Sequence, residues 1–187
     1  MKKCVFPLLI AALFFNQAWL SAQNQPKKWS VEVNPLWIVY PGNLYSVKAL
    51  YRLFEHEKSA GEIYLGLLHR PSEFREKEGD FSNSALLFGY RHYAWKGFNI
   101  EWYNAAGPGR LDNSVVDGKD YRSFDLEIGG LLGYTFEFNK RGKLPFYVDL
   151  QPVGLAYVYY RSNGHPVAGQ DREKPIYFGA IQAGLRF

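Results

Sequence analysis

His69 and Ser84 are the side chains whose types and placement could do chemistry in this chain. A serine hydroxyl is a weak nucleophile until an adjacent imidazole takes its proton, and a carboxylate can in turn orient that imidazole. His69 continues the parity of Ile63, Leu65 and Leu67, and Ser84 begins the parity of Leu86 and Phe88. The two flank Pro71–Phe81 almost symmetrically, so a hairpin there would make them cross-strand neighbours, with Glu73 or Asp80 at hand. That arrangement suits acyl transfer on an outward, lipid-facing wall. The plainer alternative is a polar boundary at headgroup level. The remaining histidines, His56, His92 and His165, show no metal-ligand spacing, and neither metal nor cofactor is expected.

The elements that must position such residues are long two-faced strands. In Ser123–Phe138, Phe124, Leu126, Ile128, Leu132, Tyr134, Phe136 and Phe138 share one parity, and Asp125, Glu127, Gly129, Gly133, Thr135 and Glu137 share the other. Side chains alternate faces along a strand, so one face is apolar and the other charged. Ordinary strands run to about 5–6 residues, whereas a strand crossing a bilayer needs roughly 9–11. Comparable alternation marks Trp29 to about Val39, Leu44–Phe54, Glu62–Arg70, Ser84–Trp95, Phe98–Ala106, Leu144–Tyr160 and Ile176–Phe187. Pro152 predicts a bulge in the seventh segment, because proline donates nothing to a ladder. No segment has helical periodicity. Short turns fall around Glu55–Gly61, Lys96–Gly97 and Asn139–Lys143. Longer polar connections fall at Pro71–Phe81, Gly107–Asp120 and Arg161–Pro175, and Pro35–Asn43 is intermediate. Long and short connections alternate, as in an up-and-down barrel with long loops at one end.

The bulky rings assign the faces. An eight-stranded interior is only wide enough to be filled by side chains, and Phe88, Phe98, Trp102, Phe124, Phe136 and Phe146 would crowd it. The glycine-rich, charged parity therefore points inward. Its charges are mixed in sign: Lys48, Arg52, Arg91 and Arg186 against Glu32, Glu62, Glu101, Asp125, Glu127, Glu137 and Asp149. Arg52 with Glu62 and Arg91 with Glu101 flank tight turns, and closure would bring Glu32 near Arg186. An unpaired buried charge costs several kcal/mol, so the expectation is a lumen plugged by ion pairs. A solvated face on a soluble sheet is the alternative, as is a lipocalin-like barrel with its apolar face inside.

Composition is consistent with export. Lys2 and Lys3 precede the apolar run Cys4–Phe15, and Ser21-Ala22-Gln23 offers a small-residue cleavage site, so residues 1–22 read as a signal peptide and 23–187 as one barrel domain. The lone cysteine, Cys4, would be removed, leaving no disulfide and no thiolate site. The formal charge of +4 contains no long basic run, which gives no electrostatic case for nucleic acid.

The chain ends Tyr-Phe-Gly-Ala-Ile-Gln-Ala-Gly-Leu-Arg-Phe. This resembles the terminal signature of bacterial outer-membrane barrels, in which a final aromatic residue, here Phe187, is read by the barrel assembly machinery. With the signal and the strand pattern, the mature chain resembles the small OmpA and OmpX type. The resemblance implies an all-β, eight-stranded antiparallel transmembrane barrel in the outer membrane, with long loops extracellular and both termini periplasmic. It also implies outer-membrane lipids and lipopolysaccharide as neighbours. Outer-membrane lipid A deacylases use serine and histidine on a small barrel, but the His-x-Ser-Asn motif of that kind is absent. Three functions stay open: a non-enzymatic barrel with surface loops, a lipid A acyl hydrolase or transferase using His69 and Ser84, and a narrow solute channel.

Overall fold

Strands with one apolar and one charged face cannot leave an edge unpaired, and here closure removes the edge. A computed structural model describes residues 27–39, 43–75, 79–95, 97–138, 145–162 and 175–187. The expected signal peptide, Cys4 and His165 lie outside those residues. The strands are β1 (Trp29–Val33), β2 (Tyr45–His56), β3 (Ser59–Arg75), β4 (Gly79–Trp95), β5 (Phe98–Asp112), β6 (Tyr121–Phe138), β7 (Phe146–Arg161) and β8 (Ile176–Arg186). Each pairs antiparallel with its sequence neighbour, and β8 returns to β1 to close an eight-stranded barrel. At the seam the Trp29 amide donates to the Phe187 carbonyl at 3.0 Å, and the Phe187 amide returns the bond at 2.8 Å.

The inward and outward parities follow the expected alternation. Lys48, Arg52, Glu62, Arg91, Glu101 and Asp149 are buried, whereas Val47, Leu65, Leu67, Phe88 and Trp102 are exposed. The narrow interior demands small residues beside large ones. A Cβ on Gly89 would lie 2.1 Å from the Trp102 carbonyl oxygen and 2.5 Å from the Tyr64 hydroxyl. The bulge at Pro152 is present: the β7–β8 register shifts between Gln151 and Gly154, moving the buried parity from Tyr147, Asp149 and Gln151 to Gly154 and Ala156.

Two expectations about chain paths are corrected. The first strand does not run to Val39. It ends at Val33, and Pro35 opens a single helical turn, α1 (Pro35–Trp37), where its missing amide proton costs nothing. Asn34 caps this turn, accepting from the Trp37 amide at 3.2 Å. The turn directs Trp37 into the barrel, where its indole N–H donates to the Gly179 carbonyl at 2.8 Å and its ring meets Phe178 at 5.9 Å.

The described residues of Pro71–Phe81 are strand, and in Gly107–Asp120 the strand runs on to Asp112 before the loop at 113–120. The ladder continues through Glu73↔Phe81 and Arg75↔Gly79, and through Asp80↔Asp112 and Leu111↔Tyr121. In this region polarity reverses. Phe81 and Leu111 are buried, while Arg110 and Arg122 are exposed on the other face. A strand that reads apolar-in and polar-out obeys the rule for sheets in water. The apolar outer belt therefore ends below this level.

The β5–β6 hairpin tip is held by carboxylates. Asp112 accepts from Arg110 Nε at 2.5 Å and Arg122 Nη1 at 2.9 Å. Asp117 accepts from the Tyr121 hydroxyl at 2.5 Å and the Lys119 amide at 3.2 Å. The Arg110 hydrogen bond holds the Asp112 carboxyl below its ordinary value of 3.8, and the Tyr121 hydroxyl does the same for Asp117. A depressed folded pKa stabilises the tip at pH above the ordinary value, and that contribution is lost as pH falls through the folded value. Protection of the 113–120 amides, relative to their intrinsic exchange rates at each pH, is expected to hold down to pH 4 and to fall only in stronger acid, and Asp117→Asn should remove part of that step.

Candidate functional site: a charged floor and a cavity in the lumen

Inward parity on five strands brings charges to one level. Arg91 on β4 is wholly buried. Its Nη1 and Nη2 grip both oxygens of Glu32 on β1 at 2.5 and 2.9 Å. Its Nε and Nη2 reach Glu101 Oε2 on β5 at 2.9 and 2.5 Å, and Asp149 on β7 lies 3.4 Å from Nη1. Lys48 on β2 donates to the other Glu101 oxygen at 2.6 Å. Neutral donors complete the set. The Tyr147 hydroxyl donates to Glu32 at 2.8 Å, Gln151 to Glu101 at 2.9 Å and Asn99 to Asp149 at 2.8 Å. A planar guanidinium with five donors is the side chain that can serve several carboxylates at once.

A second cluster lies toward the short-turn end. Arg52 donates to Glu62 Oε1 from Nε at 3.0 Å and Nη2 at 2.8 Å, and Arg186 Nη2 reaches the same oxygen at 3.0 Å. The Tyr93 hydroxyl takes Glu62 Oε2 at 3.0 Å, and Arg186 Nη1 pairs with Glu137. Each cross-strand pair read from the turns, Arg52 with Glu62 and Arg91 with Glu101, is brought together. Glu32 and Arg186 are not. Closure sets Ser30 opposite Arg186 and Glu32 opposite Gly184, so Glu32 reaches across the lumen to Arg91 instead. Sequence reasoning assigned no role to Tyr93, Asn99, Tyr147, Gln151 and Gln182 in this network. Their inward parity was visible, but a phenol counts as apolar in a hydropathy pattern.

Asp125 and Glu127 stand apart from both clusters. They line a cavity of about 530 Å³ on the long-hairpin side of the Lys48–Glu101 pair. The Tyr103 hydroxyl donates to Glu127 at 2.5 Å. Leu68, Leu87, Leu131, Ala156 and Phe178 supply much of the apolar wall, and Trp37 leans in from α1. The lumen is thus filled in its short-turn half and hollow in its other half. Of the charges expected to form one network, Asp125 and Glu127 line this cavity, with Glu127 bonded to Tyr103. Leu, Ala and Gly occupy many of the inward positions above Lys48, among larger side chains such as Tyr103 and Phe178, and a space stays open between them.

His69 and Ser84 are cross-strand partners, with His69 Nδ1 2.9 Å from Ser84 Oγ on the exposed outer wall and Tyr45 next in register. A proton could pass between them at this distance. Asp80, the expected third member, accepts from Asn113 Nδ2 at 3.1 Å, and the Glu73 side chain lies outside the described residues. Among the described residues no carboxylate bonds to His69. No group of three or more potential metal ligands comes together among them either.

No protein-family model matches this chain, and no curated protein matches it. Among solved structures it is similar to "The crystal structure of Ail, the attachment invasion locus protein of Yersinia pestis" at 14% identity and a TM-score of 0.46, covering 87% of this chain and 100% of that one. A likeness at that level says nothing about activity or partners.

Removing one member of a buried charge cluster leaves the others unpaired. Arg91→Ala is expected to cost about 3–5 kcal/mol, read as a lower urea midpoint for the folded barrel in micelles. Arg110→Ala, at an exposed pair, should leave the midpoint unchanged.

Proposed function

We propose that the protein is a non-enzymatic integral barrel of a bacterial outer membrane, with long hairpins outside the cell and both termini in the periplasm, acting in surface interaction or envelope integrity. The observation that carries this reading is inverted polarity: Arg91 is 0% exposed and Trp102 is 60% exposed. Water would penalise that arrangement, whereas hydrocarbon rewards it. The exposed belt has an aliphatic middle that includes Leu65, Leu67, Ile100 and Leu132. Aromatic residues flank it at the short-turn end, with Trp29, Trp95, Phe98, Phe138 and Phe146, and at the other, with Tyr45, Tyr157, Tyr159 and Tyr177. Rings at two levels fit two membrane–water interfaces. The polarity reversal at Phe81, Arg110 and Leu111 supports an aqueous level beyond one of them. The charged floor supports a barrel without a through-channel, since a solute would have to break the Arg91 cluster to pass.

The 2.9 Å contact between His69 and Ser84 favours one second reading, a lipid-facing acyl hydrolase or transferase. Against it stands the lack of an orienting acid among the described residues. In an expressing host, the protein should sediment with the outer membrane and resist carbonate extraction, and in planar bilayers it should give no steady current. Lipid A acylation should be the same with wild type, with Ser84→Ala and with empty vector. A change in acylation that Ser84→Ala abolishes would establish the enzymatic reading instead, and recovery as a soluble periplasmic monomer would sink both.

A further inference from the structure

We infer that the cavity in the long-hairpin half of the lumen binds a small uncharged molecule with an apolar, ring-sized body and one hydroxyl group, an aryl alcohol in size and polarity. Its volume of about 530 Å³ is in the range of small-molecule pockets, and its lining combines many apolar side chains with a few convergent polar groups.

The lining favours neither sign of charge. Lys48 is paired with Glu101 at 2.6 Å, and Glu127 accepts from the Tyr103 hydroxyl at 2.5 Å. Arg70 and Asp125 each have an interaction within the protein. An ion that left water for this space would find every lining charge already engaged, and its desolvation would go uncompensated. The walls set the body of the ligand. Leu87 on β4, Leu131 on β6, Ala156 on β7 and Phe178 on β8 bring apolar surface from four strands. The ring donors around the same space are spent within the protein. Tyr64 donates to the Trp102 carbonyl at 3.3 Å, Tyr103 to Glu127, and Trp37 to the Gly179 carbonyl at 2.8 Å. These side chains therefore offer a ligand ring surface rather than donors.

The hydroxyl is set by a second and independent feature. Gln182 is 1% exposed and lines the cavity, and its Oε1 accepts no hydrogen bond among the described residues, while its Nε2 donates to Gln151 at 3.4 Å. Asn83 Oδ1, also in the lining, is likewise buried without a donor. A buried acceptor left unsatisfied carries a desolvation penalty that a ligand donor can relieve. The same lining holds a buried donor, Arg70 Nε, that makes no hydrogen bond although its guanidinium lies over the Phe81 ring. A hydroxyl both donates and accepts, so it suits acceptor and donor alike, whereas an ammonium only donates and a carboxylate only accepts.

The test uses residues 23–187 in lipid nanodiscs, so that detergent tails do not occupy the cavity. The probes are 4-(trifluoromethyl)benzyl alcohol and 4-(trifluoromethyl)toluene, which share a body and differ in the hydroxyl. Fluorine NMR should show saturable binding of the alcohol above the uptake of empty nanodiscs. Gln182→Leu should weaken the alcohol about fivefold, the scale of one net hydrogen bond, and leave the toluene unchanged or improved. The ratio of the two affinities removes any effect the substitution has on the cavity as a whole. Ala156→Phe, which places a ring in the apolar wall, should abolish binding of both probes, with folding checked by the heat-shifted gel mobility of the barrel. No saturable binding of the alcohol, an affinity ratio unaltered by Gln182→Leu, or binding retained in folded Ala156→Phe would each overturn the inference. If Gln182→Leu does not fold, Gln182→Met decides in its place, and if Ala156→Phe does not fold, the affinity ratio decides alone.

Discussion

The Arg91 guanidinium is the point on which this barrel depends. It sits where β1, β4, β5 and β7 face one another, hydrogen-bonding Glu32 and Glu101 together and lying within ion-pair distance of Asp149. A charge held in so narrow a space must be paired by good geometry or it costs several kcal/mol. The neighbouring side chains follow from that requirement. Tyr147, Gln151 and Asn99 supply the donors that a single guanidinium cannot. Gly184 stands opposite Glu32, and a Cβ there would lie 2.4 Å from the Tyr147 ring. Apart from the β4–β5 bond of Arg91 to Glu101, these side-chain bonds join strands distant in sequence, so the cluster ties the register of one side of the barrel to the other.

The same cluster divides the lumen. Below it, Arg52 and Arg186 share Glu62, and the space is filled. Above it, a cavity opens between small inward residues and the rings of Tyr103, Phe81 and Phe178. Trp37 belongs to that upper half only because the chain leaves the sheet at Asn34. Had β1 continued to Val39, Trp37 would sit on the outward parity of Trp29 and Val33. The single turn at Pro35 trades a few ladder bonds for an indole packed against Phe178.

Most of the architecture was legible because alternation is a strong signal wherever the two faces meet different media. Phe98, Ile100 and Trp102 against Asn99, Glu101 and Tyr103 read the same way in sequence and structure. The reading failed where the medium changed. At Phe81 and Leu111 the apolar parity turns inward, and this looked like the end of the strand when it was a reversal of polarity. Local pairs such as Arg52 with Glu62 were legible because a tight turn sets their register. The Glu32–Arg91 bond was not, because it spans the lumen and depends on closure and on which opposite residue lacks a side chain. The cavity was hidden for the same reason: its size depends on how inward side chains from different strands meet across the lumen.

The central claim is that the apolar face looks outward into hydrocarbon while the charged face is sealed inside. The most direct test is depth-dependent fluorescence quenching in bilayers by lipids brominated along the acyl chain. In a chain of residues 23–187, which lacks Trp19, one variant would keep Trp102 as its sole tryptophan, with Trp29, Trp37 and Trp95 changed to Phe. A second would carry these changes with Trp102→Phe and Leu131→Trp, placing its tryptophan on the inner wall. Trp102 should be quenched strongly by bromines deep in the acyl chain, and the inner-wall tryptophan should not. Weak quenching of Trp102 by every lipid, with full accessibility to a water-soluble quencher, would contradict the account.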